Sequence, residues 1–404
     1  MLKEYYAERT EQQSLELTDG VVSQATHTLL QGIGEREVEG ESTRYSYTMP
    51  TCMPDWFLAG HPHVEVPALS PQLLYDVEKY AFECDPRVVK VKVVVVSSVT
   101  EISISNNLCE CPVHDRRERD VLMVHVVLQQ DGRHEMGYAS TCKGENGESL
   151  VRRAIGQASH LFEAITPQGG DMPVVMAAGA SGILLHEAIG HAFEADFNRL
   201  GTSIFSDKMG QQICRPDITI VDDATLPGGQ GSFRYDDEGV EAHCTYLVHD
   251  GHLESYLHDR ISATHFGVEP TGNGRRQSFR HAPVPRMTNT YMLPGEASEE
   301  DIIRSVKRGI YAQSFTNGQV QIGAGDFTFF LKTGFLIEDG HLTAPIRDVN
   351  IIGNGPRALA DISMVGNNLL MEPSAGYCGK AGQQVPVGQG IPTVLVDRLN
   401  VGGK

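Results

Sequence analysis

Four Asp-Gly pairs, at 19–20, 131–132, 250–251 and 339–340, constrain this chain more tightly than any other feature of its sequence. Such a pair between two apolar runs favours a two-residue turn with positive φ at both central positions, and that turn joins neighbouring antiparallel strands. Residues 14–17 and 21–24 flank the first pair. Residues 121–128 and the segment after Arg133 flank the second, and 247–256 and 335–345 enclose the third and fourth. Hairpins are therefore expected along the whole chain.

Between them the reading is mixed. Residues 37–47 predict another strand pair, entered through Gly32-Ile-Gly34, and the Val- and Ile-rich run 89–104 predicts one long strand or two. Residues 50–67, with four prolines, predict a loop. Leu73, Leu74, Val77 and Ala81 are spaced as on an amphipathic helix over 71–84, and Leu150, Ala154, Ala158, Leu161 and Ile165 as on one over 148–165. The breaker-rich stretch 166–173 suggests a boundary. The expected class is α+β with two domains: 1–168, a sandwich-like α/β layer with a mixed sheet, and 169–404, a β-rich domain carrying a helix over 182–197 capped by Ser181. A second helix is expected over 298–309, and loop with short strands over the last forty residues.

The chain of 404 residues carries a formal charge of −19. That sign repels phosphate backbones and anionic lipid, so neither nucleic acid nor membrane is an expected partner. No run reaches the roughly 18 apolar residues that span a bilayer, and the first residues lack the apolar core of a signal peptide, which points to the cytoplasm. The eight cysteines include no C-x-x-C pair, and Cys109 and Cys111 are too close for an ordinary disulfide.

The chemistry concentrates in His186-Glu187-Ala188-Ile189-Gly190-His191. Two imidazoles with a Glu beside the first can hold a metal ion and activate water, but the familiar peptidase spacing is four residues and here it is five. On an α-helix a five-residue step turns the second ring about 140° away from the first. A π-type turn restores the shared face, and Gly190 supplies backbone tolerance for it. A bulged or terminated helix is therefore expected at 189–191. Spacing leaves the third ligand open: Glu194 ranks first, then Asp196, with His243, His249, His281 and the thiols more remote.

That motif and the following Ala-Phe-Glu-Ala-Asp-Phe-Asn-Arg199 resemble the TldD/PmbA peptidases, also called modulators of DNA gyrase, and the TldD branch most closely. The likeness continues through Tyr235-Asp-Asp-Glu-Gly239, Pro270-Thr-Gly-Asn-Gly-Arg-Arg276 and Pro285-Arg-Met-Thr-Asn-Thr-Tyr-Met-Leu-Pro294. It runs on through Ile362-Ser-Met-Val-Gly-Asn367, Cys378-Gly-Lys-x-Gly-Gln383 and Val385-Pro-Val-Gly388. Gly32-Ile-Gly34 with Arg36 looks like the family's Gly-x-Gly-x-Arg step, although members usually carry further N-terminal residues, so the start is expected to be short.

The resemblance implies one Zn2+ per catalytic subunit, held by His186, His191 and Cys378, with Glu187 as catalytic base and Glu194 orienting His191. It implies cleavage of unfolded or linear peptides. It also implies a dimer, either of two such chains or with a sister subunit lacking the His-Glu motif. Arg275, Arg276, His281 and Tyr291 are candidates to stabilise the oxyanion or to bind substrate. The rival readings are a non-enzymatic regulator with a structural metal site and a hydrolase of small amides.

Overall fold

The computed structural model describes residues 1–61, 66, 68–108, 111–142, 146–374 and 376–403. Cys109 and part of the expected loop, 62–65 and 67, lie outside the described residues. The N-terminal part is built on six strands: β1 (Leu2–Thr18), β2 (Val21–Glu39), β3 (Ser42–Thr48), β4 (Val88–Asn106), β5 (Val113–Gln130) and β6 (Arg133–Cys142). They lie in the order β3-β2-β1-β4-β5-β6, and every neighbouring pair is antiparallel. The expectation of a mixed sheet is thus corrected. Four of the five pairings join strands consecutive in the chain, and such hairpins cannot be parallel, which would require a crossover.

The sheet is covered on one face by helices rather than by a second sheet. Between β3 and β4 the chain forms the short helix α1 (Asp55–Leu58), within the expected loop, and α2 (Pro71–Cys84); α3 (Gly147–Glu163) follows β6. Leu74, Val77 and Ala81 of α2 and Leu150, Ala154 and Ala158 of α3 are buried with Val91, Val93, Val124 and Val126 of the sheet. The period-2 pattern of β4 meets the helical stripes of α2 and α3 there. Ser70 caps α2 through Gln72 N, and Asn146 caps α3 through Ser149 N.

Gly32 and Gly34 lie inside β2, not at an entry to it. A Cβ on Gly32 would fall 2.2 Å from the ring of Phe279, and one on Gly34 would fall 2.8 Å from the Phe279 carbonyl. The glycines are required because a loop of the C-terminal part crosses the strand at that point. Tyr6, Ile102 and Ile104 complete the pocket around Phe279.

The C-terminal part holds two larger sheets. One runs His252–Leu253, Cys244–His249, Ile220–Asp223, Asn289–Met292, Gln383–Ile391, Leu370–Met371, with Gly376–Lys380 also paired to Gln383–Ile391. In the other, Arg308–Gln321, Gly170–Met176, Val394–Gly402, Val349–Asn354 and Asp326–Glu338 pair in turn, and the last pairs back to the first, so five strands close into a ring. One large apolar cluster joins the two sheets. The segment Leu184–Gly190 sits between them, against Asn289–Met292 and Gln383–Ile391 on one side and Arg308–Gln321 and Asp326–Glu338 on the other.

All four Asp-Gly pairs form turns with positive φ at both residues, between 47° and 51° for Asp and between 77° and 80° for Gly. The expected helix over 298–309 is shorter, Glu299–Ser305, with Ser298 accepting from Asp301 N, and Gly309 already belongs to a strand. The last forty residues are mostly strand, because Gln383–Ile391 and Val394–Gly402 are interior members of their sheets. No helix among the described residues is long and apolar enough to cross a membrane.

Candidate metal centre

The helix expected over 182–197 is broken into four pieces. Gly179, at φ 80°, opens a 3-10 turn over Ala180–Gly182, and the π-helix Leu184–Gly190 follows. A second 3-10 turn, His191–Phe193, leads to extended Glu194 and then the short α-helix Ala195–Arg199. Ser181 does not cap it: its hydroxyl is buried without a hydrogen-bond partner among the described residues.

The π turn lies between the two imidazoles. The backbone N–H of His191 donates to the carbonyl of His186, an i+5 to i bond that brings the fifth residue back over the first. The two rings sit 5.0 Å apart, centre to centre, at 81°. Gly190 has ordinary right-handed dihedrals, φ −57° and ψ −51°, so backbone freedom is not why glycine stands there. A Cβ at this position would lie 2.3 Å from Met287 Sδ and 2.9 Å from the Leu185 carbonyl oxygen. Gly190→Ala is expected to destabilise the fold by about 1–3 kcal/mol through overpacking, read from denaturant unfolding. A variant as stable as wild type would show that Met287 can move aside.

Glu194 breaks the helix by adopting ψ 124°, and the surroundings satisfy what the break leaves open. Ala195 N donates to the Leu257 carbonyl and Leu257 N to the Phe193 carbonyl. The Asn198 amide donates to the carbonyls of Ala192 and Glu194, and the Ser203 hydroxyl donates to Ala192 as well. The kink turns the Glu194 carboxylate back onto His191, whose Nδ1 lies 2.9 Å away.

A third group arrives from far along the chain. Cys378 lies on Gly376–Lys380, which forms a hairpin with Gln383–Ile391 through Ala381 and Gly382, both at positive φ. Its Sγ lies 3.3 Å from His191 Nε2. His186, His191 and Cys378 are all buried, and each offers a donor atom within 4.8 Å of the others. Glu187, next to His186 in the π-helix, is half-buried.

The electrostatics favour an anionic sulfur. Burial alone would raise the Cys378 thiol; the neighbouring His186 and the hydrogen bonds from both imidazoles outweigh it and bring it down to about 5. Burial opposes a proton on His191, but Glu194 and Cys378 overcome it and raise that imidazole well above its usual value. Burial likewise opposes charge on Glu194, and Lys380, His191 and Arg286 pull its carboxyl down to about 2. The two nitrogens and one thiolate suit a borderline-soft ion such as zinc. His186 Nδ1, buried with no hydrogen-bond partner among the described residues, is an unsatisfied donor atom of the kind an ion would engage.

The remaining candidates are bonded elsewhere. Arg275, fully buried and pushed down to about 10 by that burial, donates to the carbonyls of Met287 and Pro386. Arg276 donates to Glu4 of β1 and to the Asp237 carbonyl. His281 Nδ1 lies 3.3 Å from the Ser278 hydroxyl, and the Tyr291 hydroxyl donates to Asp223. None of these bonds reaches His186, Glu187, His191 or Cys378. Asp196 is held by Lys380. Sequence reasoning passed over Arg286 and Lys380, which flank Glu194, although each stands in a quoted motif, Pro285-Arg-Met287 and Cys378-Gly-Lys380.

Two other motifs form a buried clasp between the N- and C-terminal parts. Asp236 accepts from Glu238 N, Val240 N and Gly274 N, and Asp237 from Arg276 N. Glu238 pairs with Arg36 of β2. Asp222 gathers Thr288 N, the Thr288 and Thr290 hydroxyls and the Asn273 amide, which accounts for the two threonines of 285–294.

Residues 169–403 match the family described as the PmbA/TldA metallopeptidase C-terminal domain. A metalloprotease TldD homolog of Haemophilus influenzae is 36% identical over 444 aligned residues, covering 98% of this chain and 92% of that protein. A zinc metalloprotease TldD homolog of Saccharolobus solfataricus is 35% identical over 258 residues, 63% of this chain and 56% of that one. The solved structure of TldE from Thermococcus kodakarensis has the same fold, with a TM-score of 0.79 at 18% identity, covering 100% of this chain and 97% of that one.

Proposed function

The chain belongs to the PmbA/TldD metallopeptidase family, and on that premise we propose that it is a zinc-dependent peptidase acting on unfolded or linear peptides. The observation that carries this reading is the buried His186 and His191, joined by a π turn, with Cys378 brought against them from a distant strand and half-buried Glu187 beside His186. All four residues fall within 169–404, which we take as the catalytic domain.

In this reading His186, His191 and Cys378 hold the ion. Held there, zinc would supply Lewis-acid chemistry, polarising a carbonyl and lowering the pKa of water to about 7. Glu187 takes the proton of the attacking water and passes it to the leaving amine. Glu194 fixes the ring of His191 through Nδ1, leaving Nε2 turned to the thiolate. Three protein donors among the described residues support an open site over a purely structural one, which would call for a fourth. Because TldE has the same fold, a sister subunit of that kind is the proposed partner, with a homodimer as the other arrangement.

The test is zinc content together with cleavage of an unfolded peptide, before and after removal of metal by a chelator. Near-stoichiometric zinc and cleavage lost on chelation and regained with Zn2+ are expected. No zinc uptake even after supplementation would sink the proposal.

A further inference from the structure

Lys380 has no role in the chemistry above, yet it is almost completely buried beside it, with 8% of its side chain exposed. Its ammonium lies 3.1 Å from Glu194 Oε2 and 2.7 Å from Asp196 Oδ1, and donates to the Pro285 carbonyl at 3.0 Å. It also stands 4.3 Å above the Phe197 ring. Lys380 is two residues beyond Cys378 on the same strand, so the two side chains leave it on the same face. The strand presents the thiolate to His191 and the ammonium to the carboxylate that orients His191.

Arg286 repeats the connection one layer deeper. It donates to the Cys378 carbonyl, and its Nε stands 3.9 Å from Glu194 Oε1. Two cations and two carboxylates therefore tie the Cys378 strand to the segment after the π turn. Glu194 is common to both ties.

We propose that Lys380 is a positioning residue of the metal centre: by holding Glu194 it fixes the His191 ring and the Cys378 strand at one separation, and so sets the affinity for the ion. The inference rests on the peptidase reading and concerns residues of this chain only. Charge and position predict opposite signs. Removing a nearby cation would by itself strengthen binding of Zn2+, whereas loosening an outer partner of a ligand typically weakens it about 10- to 100-fold.

The experiment is competition for Zn2+ against a chelator, using full-length metal-free protein, with Co2+ as a spectroscopic probe of the thiolate bond. Lys380→Met is expected to weaken Zn2+ binding about 10- to 100-fold and to shift the thiolate-to-cobalt band. Lys380→Arg, which restores the donors, should recover part of the loss. In a Glu194→Gln background Lys380→Met should cost little more, because both changes cut the same tie. Unfolding of the metal-free variants checks the fold, and Lys380→Gln replaces Lys380→Met should the latter not fold. Unchanged or tighter binding, or losses that simply add, would overturn the inference alone. Wild-type protein that takes up no Zn2+ would remove the peptidase reading and this inference with it.

Discussion

Glu187→Gln is expected to bind Zn2+ as the wild type does and to cleave an unfolded peptide about a hundred- to ten-thousandfold more slowly. In the π-helix Leu184–Gly190 the other six residues are buried and only Glu187 is half-buried. It is therefore the polar side chain of that turn able to meet a water entering from outside. Glutamine keeps the volume and one carbonyl oxygen, so the turn and the three donors should stand unchanged, but it cannot take up a proton at neutral pH. Equal cleavage by the variant and the wild type would remove Glu187 from the reaction. Loss of zinc along with activity would mean that Glu187 holds the site together instead.

Cys378→Ser should weaken Zn2+ binding by two orders of magnitude or more, exceeding the about 10- to 100-fold cost of losing an outer partner. The two imidazoles and their hydrogen bonds hold the thiol at about 5 despite its burial, so at neutral pH it is already the anion that binds metal. A serine hydroxyl at the same place stays neutral. The sign with pH follows: the ion must displace the proton that Glu194 and Cys378 hold on His191, so affinity should already fall as the pH is lowered from above neutrality, and fall more steeply through about 5, where protons also compete for the sulfur. Cys214→Ser is the control. That thiol is also buried, is pushed up to about 12 by burial, and faces the Gly251 carbonyl rather than the two histidines. Equal zinc affinities in the two variants would take the third-ligand role away from Cys378.

Local patterns were legible where one stretch of chain determines its own geometry. The Asp-Gly pairs announce their turns because few residues accept positive φ, and the apolar spacing of 71–84 marks α2 to the residue. The five-residue step between His186 and His191 called for a bulged or terminated helix at 189–191; the widening is a π-helix that begins earlier, at Leu184, and ends at Gly190. The break at Glu194 was not legible. It depends on Leu257, Asn198 and Ser203 to satisfy the freed backbone, and no periodicity reports such partners. The long hairpin of Arg308–Gln321 with Asp326–Glu338 was hidden because three register shifts near 312–317 spoil the alternation by which a strand is recognised.

The hairpin bearing Cys378 is a plainer case. Its turn uses Ala381 where the four Asp-Gly hairpins use Asp, and alanine carries no signal for positive φ. Its sulfur meets a histidine 187 positions away, a distance over which spacing says nothing. Only the likeness to a family pointed there. The oxyanion candidates show the converse: Arg275, Arg276 and Tyr291 stand out in sequence as reactive types, yet each is held by carbonyls or carboxylates of the surrounding walls.

The ring of five strands has a consequence for the order in which the molecule can be finished. Its member Val394–Gly402 lies between Gly170–Met176 and Val349–Asn354, so a strand made near the start of this half waits for one made more than two hundred residues later. A ribosome releases the histidines long before Cys378 and the sealing strand emerge, whereas the N-terminal sheet needs nothing beyond α3 to bury its helices. A nascent chain thus carries the two imidazoles with the donor set incomplete until Cys378 has been made. The pocket can be assembled only after Val394–Gly402 has been made.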